Sequence, residues 1–190
     1  MVVTGVLLAG GEARRMGGVD KGRQLWQGVP MADSIAATFR AVVPKLIIST
    51  AEPDDYYREL ADCLVADAPA YRGRGPLAGL LASMRQAAAM GHDTILVCPC
   101  DTPAVSEGLL RRLLAGYARA GGVPVIADCG GRVHPLHGVY PVTLADALED
   151  QLKAGNRRVY QFALASGAIV LDCSGYSDDF INCNRLDDLR

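Results

Sequence analysis

The sequence predicts an α/β fold: one domain in which a mostly parallel sheet is covered by helices on both faces, with a small β-rich extension after it. Two observations carry this expectation. Short β-branched apolar runs alternate four times with segments whose apolar residues recur at helical spacing, the order that gives parallel strands joined by crossover helices. Beyond Gly121-Gly122 the alternation gives way to two apolar runs separated by Gly130-Gly131, the signature of a hairpin.

The first run, residues 2–8, ends in Ala9-Gly10-Gly11 and reads as a buried strand that delivers its C-terminal end to a functional loop. Ile35, Phe39 and Val42 then recur as one helix face, and residues 45–50 give a second strand after Pro44. Tyr56, Tyr57 and Leu60 predict a short helix, and residues 64–66 a short strand. Pro76 suits the first position of a helix that carries Leu77, Leu80, Leu81 and Met84. Residues 94–98 form the fourth strand, and Leu109, Leu110, Leu113, Leu114 and Tyr117 line one face of the helix behind it. Past the glycines, residues 123–127 and 133–140 are strands. Thr143 with Asp146 has the spacing of a capping box for a helix reaching about Lys153, and residues 168–171 form a late strand before a polar tail.

With 190 residues, 50% apolar and 21% charged, the chain has the composition of a single folded domain whose core needs no metal or disulfide staple. Its net charge of -2, with acids and bases interleaved, argues against a general attraction to nucleic acid or to an anionic membrane, so any anion site must be local. No basic leader precedes an apolar stretch, and no apolar run approaches the roughly 20 residues that span a bilayer. The expectation is a cytoplasmic protein. Six cysteines without a CxxC pair predict free, buried thiols in that compartment.

Chemistry concentrates in two places. In Leu8-Ala9-Gly10-Gly11-Glu12-Ala13-Arg14-Arg15-Met16-Gly17-Gly18-Val19-Asp20-Lys21, glycines let the backbone approach an anion, while Arg15 and Lys21 supply the charge to hold a triphosphate. A bare Gly-Gly pair is also what an ordinary turn requires, and it is the strand ahead and the basic residues behind that favour a phosphate cradle. Neither a Walker A loop nor a dinucleotide fingerprint is present. The second place is Asp101, within Cys98-Pro99-Cys100-Asp101-Thr102-Pro103, a carboxylate just past a buried strand. It is a candidate Mg2+ ligand, with helix capping or turn formation as its alternative role. Cys98 and Cys100 lack the other soft ligands a zinc site needs and read as core residues. His134 and His137, three apart on a strand, are expected on opposite faces, which disfavours a metal pair and leaves a histidine in the wall of the substrate site.

Taken in order, Leu-Ala-Gly-Gly-x-x-x-Arg-Met-Gly-Gly-x-Asp-Lys, Gly75-Pro76-Leu77-Ala78-Gly79, Cys-Pro-Cys-Asp-Thr-Pro and Asn182-Cys183-Asn184 resemble the molybdenum cofactor guanylyltransferase family. That family sits within a wider group similar to sugar-phosphate nucleotidyltransferases. The likeness runs over nearly the whole chain. It implies a single Rossmann-like nucleotidyltransferase domain over residues 1–190, with a nucleotide-binding part of about 1–120 and an acceptor-binding part of about 121–190. It further implies that Leu8, Ala9 and Gly10 contact the nucleotide, that Gly11 and Arg15 frame the phosphates, that Lys21 sits on the charge of the reacting group and that Asp101 holds Mg2+.

Asp67 falls where the family has a nucleotide-contacting carboxylate, whereas Ala51 stands where the family has an asparagine. Arg157, Arg158, Asn182 and Asn184 are the implied acceptor residues, with surface arginines at a helix start and asparagines in a turn as the alternative. GTP and molybdopterin are the implied substrates, with transient contacts to molybdenum-insertion and molybdoenzyme-delivery proteins. Two alternatives stay open: a cytidylyl- or sugar-phosphate nucleotidyltransferase with the same loop and metal, and a nucleotide-sensing or partner-binding domain without turnover.

Overall fold

A computed structural model describes residues 1–10, 20–51 and 53–183. The chain runs β1 (Val3–Leu8), a two-residue hairpin of β2 (Leu25–Trp26) and β3 (Val29–Pro30), α1 (Met31–Arg40), β4 (Leu46–Ser49), α2 (Asp55–Leu60) and β5 (Cys63–Val65). It continues with α3 (Pro76–Ala89), β6 (Thr94–Pro99), α4 (Glu107–Arg119), β7 (Val125–Cys129), β8 (Arg132–Pro141), α5 (Ala145–Lys153), α6 (Val159–Ala165) and β9 (Ile169–Asp172). Among the described residues, a seven-stranded sheet has the order β5-β4-β1-β6-β8-β7-β9. β8 is antiparallel to both of its neighbours, and every other pair in the sheet is parallel.

Alternation along the strands feeds two cores. Leu7, Leu46, Leu96 and Cys98 point to one face, where α1 and α4 bring Ile35, Phe39, Leu109 and Leu113. Val6, Ile47, Ile95 and Val97 point to the other, against Leu77, Leu80 and Met84 of α3, Leu148 and Leu152 of α5 and Phe162 of α6. Each fully buried Leu, Ile or Phe contributes about 1.5–3 kcal/mol. An exposed ion pair such as Lys45–Asp62 contributes about 0–1 kcal/mol, so the two cores carry the fold.

The four predicted strand–helix units are present; Ile35, Phe39, Tyr57, Met84 and Leu113 of the predicted faces are buried, whereas Tyr56, Leu60 and Leu114 are partly buried and Val42 lies past the end of α1. The hairpin turns at Gly130-Gly131, whose φ values of 59° and 85° require residues free to adopt the left-handed region. Its first strand lies two residues later than the pattern indicated, and it joins the central sheet directly. The capping box is not formed. Thr143 lies inside a 3₁₀ turn, Val142–Leu144, and α5 is entered through Leu144 without a side-chain cap. The cause is tethering: β8 pairs with β6 up to Thr94↔Pro141, and Val142 N–H donates to Asp93 at 3.0 Å, so the chain cannot turn earlier.

At the other edge, Ser106 caps α4 by accepting from Leu109 N–H, and its own N–H and hydroxyl both donate to the buried Asp179. That tie fixes the C-terminal segment over the end of the sheet. All six cysteines are free thiols, and Cys98 and Cys100 are buried in the core as expected. Among the described residues, no helix is long and apolar enough to cross a membrane.

Candidate active site

Parallel strands bring their C-terminal ends to one edge of the sheet. Leu8 ends β1 between Ser49 and Pro99, and Ser49 carbonyl accepts from the N–H groups of both Ala9 and Gly10, at 2.8 and 2.9 Å. Leu8 carbonyl in turn accepts from Cys100 N–H at 3.1 Å. The predicted nucleotide loop and the loop carrying Asp101 therefore meet through one backbone hydrogen bond. Gly11 and Arg15 lie outside the described residues.

Lys21 opens a 3₁₀ turn, Lys21–Arg23, capped by Asp20, whose carboxylate accepts from Gly22 N–H at 3.1 Å and from the Tyr57 hydroxyl at 2.6 Å. Burial and that bond to Asp20 raise the Tyr57 hydroxyl well above the usual range, so it stays a donor. Burial pushes the Cys100 thiol up to about 12, with Asp101 raising it further and Lys21 opposing them. Lys21 and Asp101 thus both act on the same thiol. A cysteine so protonated is not a nucleophile.

Asp101 follows β6 and is half-buried. Its Oδ2 accepts from Asn182 Nδ2 at 3.1 Å, and its carbonyl accepts from Cys183 N–H at 2.8 Å. A cleft of about 470 Å3 opens beside it, lined by Asp101, Asn182 and Arg158 together with Thr102, Arg132 and Tyr160. Arg157 is exposed outside that lining, and Asn184 lies outside the described residues. Asp67 sits apart from this group, in the loop after the edge strand β5. There it accepts from Gly73 N–H, while burial raises its pKa against that bond and Arg72. Among the described residues no group of three or more His, Cys, Asp or Glu could hold a metal ion together, so a cation here would rely on Asp101 and substrate oxygens.

The far wall corrects one expectation. His134 and His137 do not point to opposite faces. The β7–β8 register jumps from Ile126↔Gly138 to Ala127↔His134, so residues 135–137 form a bulge without counterparts in β7. The kink turns both rings onto Phe180, at centroid distances of 4.4 and 5.0 Å, and edge-on to one another at 5.7 Å. His137 Nε2 and Thr102 Oγ1 share a hydrogen bond at 2.9 Å, and Thr102 Oγ1 also lies 3.3 Å from Pro99 carbonyl. Burial pushes His137 down to about 3, while burial and then Arg132 lower His134, leaving both neutral at neutral pH. Sequence reasoning missed Thr102, Arg132, Tyr160 and Phe180. Thr102 was adjacent to Asp101 and Arg132 two residues before His134, so both could have been drawn from spacing; Phe180 depended on the bulge.

Residues 5–168 match the family model described as a MobA-like NTP transferase domain. A molybdenum cofactor guanylyltransferase from Cereibacter sphaeroides is 39% identical over 192 residues, covering 100% of this chain and 94% of that relative. Another from Acidiphilium cryptum is 39% identical over 185 residues, covering 97% and 90%. Among solved structures, molybdopterin-guanine dinucleotide biosynthesis protein A from Archaeoglobus fulgidus matches with a TM-score of 0.77 at 21% identity, over 98% of this chain and 94% of that one. A 2-C-methyl-D-erythritol 4-phosphate cytidylyltransferase from Thermus thermophilus matches with a TM-score of 0.66 at 18% identity, over 100% and 96%. At those identities the structural likeness bears on the fold alone.

Proposed function

This chain belongs to the family of MobA-like NTP transferase domains, and from that premise we propose that it transfers GMP from GTP to molybdopterin, releasing pyrophosphate and forming the guanine dinucleotide form of the molybdenum cofactor. The observation that carries this reading is the junction of two loops. Leu8 carbonyl holds Cys100 N–H, so Leu8, where the expected nucleotide loop begins, lies beside the segment that carries Asp101, and a cleft lined by Asp101 opens there. Support for guanylyl transfer comes from the full-length likeness to relatives that carry that name.

In this reading residues 1–120, approximately, bind the nucleotide through Leu8, Ala9, Gly10, Gly11, Arg15, Lys21 and Asp67. The part from about 121 to 190 binds the acceptor, with Arg158, Arg157, Asn182 and Asn184 as its polar contacts. The incoming group is the terminal phosphate of the acceptor. Its second pKa is about 6, so it is already ionised at neutral pH and needs no protein base. One of its oxygens forms a bond to the α-phosphorus of GTP as the bond to the bridging oxygen breaks, and that electron pair leaves on pyrophosphate. The protein's task is to hold two anions in line and offset the charge that gathers between them.

Lys21 supplies one positive charge there, and Arg158 holds the acceptor phosphate. Asp101 suits a hard divalent cation: Asn182 fixes one carboxylate oxygen, and the other has no protein partner among the described residues. Mg2+ at Asp101, its shell completed by substrate phosphates, would neutralise the α-phosphate and the departing pyrophosphate. The setting is the cytoplasm, with transient contacts to the proteins that insert molybdenum and receive the cofactor.

The test is pyrophosphate release from purified protein with Mg2+ and molybdopterin, comparing GTP with CTP, ATP and UTP, each with and without acceptor. Acceptor-dependent release with GTP is expected, lost in Asp101→Ala and at least about tenfold slower in Lys21→Ala. A preference for CTP would keep the mechanism and change the product. Release that ignores the acceptor would overturn the reading.

A further inference from the structure

We propose that His134 sets acceptor specificity: its imidazole is the platform on which the acceptor's planar nitrogen heterocycle lies. This rests on the reading that a pterin-bearing phosphate is the acceptor.

Three observations lead there. The cleft is of small-molecule size, and a phosphate engaged beside Asp101 leaves the rest of an acceptor to extend along the wall formed by residues 132–137. That wall is aromatic and fixed. The Phe180 ring lies behind His134 at 4.4 Å with a 35° tilt, His137 meets it edge-on at 5.7 Å, and His137 is pinned by Thr102, the neighbour of Asp101. The platform and the phosphate end of the cleft are therefore tied to one another, which fixes the distance an acceptor must span. Arg132 and Arg158 also line the cleft, so positive charge stands beside the aromatic surface. An uncharged imidazole in the same lining stacks on a flat heterocycle and leaves anion binding to the arginines.

The experiment compares His134→Ala and His134→Phe with the unaltered protein in two readouts. One is steady-state pyrophosphate release, with molybdopterin and GTP varied separately. The other is direct binding of pterin-6-carboxylate, followed by its fluorescence without GTP or metal. Loss of one stacking surface is expected to raise the molybdopterin KM and weaken the pterin about tenfold in His134→Ala. The GTP KM should stay within about twofold and the melting temperature should hold, while His134→Phe, which keeps a stacking ring, restores most of the affinity. Phe180→Leu, which removes the backing ring, is expected to give a smaller loss of the same kind.

Unchanged molybdopterin KM and pterin binding in His134→Ala and Phe180→Leu would overturn the platform while leaving the transfer reaction standing. An equal rise in the GTP KM would overturn it as well, by showing a general disturbance. If the unaltered protein releases no pyrophosphate with molybdopterin, the acceptor reading falls and the platform with it.

Discussion

At the scale of single residues, burial decides what each histidine of the cleft does. His137 is 3% exposed, and its pKa, lowered to about 3 against about 6.5 in the unfolded chain, keeps it neutral and bonded to Thr102. A histidine held neutral in the folded state leaves stability intact above pH 6.5 and withdraws it as pH falls from 6.5 towards 3, because only the unfolded chain takes up the proton. Stability should therefore decline by up to about 1.4 kcal/mol per pH unit below 6.5 on this account. Denaturant unfolding between pH 7 and 5 checks it: His137→Phe should show a shallower decline than the unaltered protein, and parallel curves would refute the assignment. The same burial explains what was legible in the sequence. Asp101 and Asn182 could be found because each stands in a short motif near the end of an element. The Thr102–His137 bond could not, because a strand of regular alternation would have sent His137 away from its partner, and nothing local announces a three-residue bulge.

Among the elements, α3 packs closely against the start of the site. Gly79 faces Ser49, and a Cβ there would lie 2.5 Å from Ser49 Oγ and 3.5 Å from Leu8 Cδ2. Ser49 is also the residue whose carbonyl holds Ala9 and Gly10, so the helix presses on the support of the proposed nucleotide loop. Gly79→Ala is expected to cost about 1–3 kcal/mol through overpacking and to raise the GTP KM. Thermal melting and steady-state kinetics read the two effects, and Ser49→Ala in the same chain should relieve much of both. A Gly79→Ala protein with unchanged melting and KM would show that the helix moves aside freely. The helical face of α3 was readable because Leu77, Leu80, Leu81 and Met84 repeat over a long segment. The two-residue strands β2 and β3 were too short to show a period. α6, Val159–Ala165, was legible only as a helix start at Arg157 and Arg158, because it is seven residues long and carries no side-chain cap. Thr143 misled because a capping box is a local pattern, while the start of α5 is set by a ladder to a strand almost fifty residues earlier.

For the whole molecule, the sheet changes direction between β6 and β8, and the cleft lies across that change. The parallel strands β5, β4, β1 and β6 lead into the loops proposed to bind the nucleotide, and β8 brings the histidine wall up beside Asp101. Alternating strands and helices made the parallel half legible, but strand order is a matter of which ladders form, and no run of residues names its neighbour. Each ligand that binds the native site should stabilise the folded state, and ligands that bind there together should add to one another. Binding to the native state adds RT ln(1 + [L]/Kd), about 2.7 kcal/mol at a hundredfold excess over Kd. In a chain of this size each kcal/mol raises the melting temperature by roughly 2–4 °C. GTP with Mg2+ should therefore raise it by about 5–11 °C at that excess. GTP without metal should give less, and CTP with metal less again if the guanine is recognised. Asp101→Ala should keep the shift caused by GTP alone and lose the part that Mg2+ adds. A metal increment of the same size in Asp101→Ala would move the cation to another group, whereas its absence from both proteins would leave Lys21 and the loop to hold the triphosphate without it.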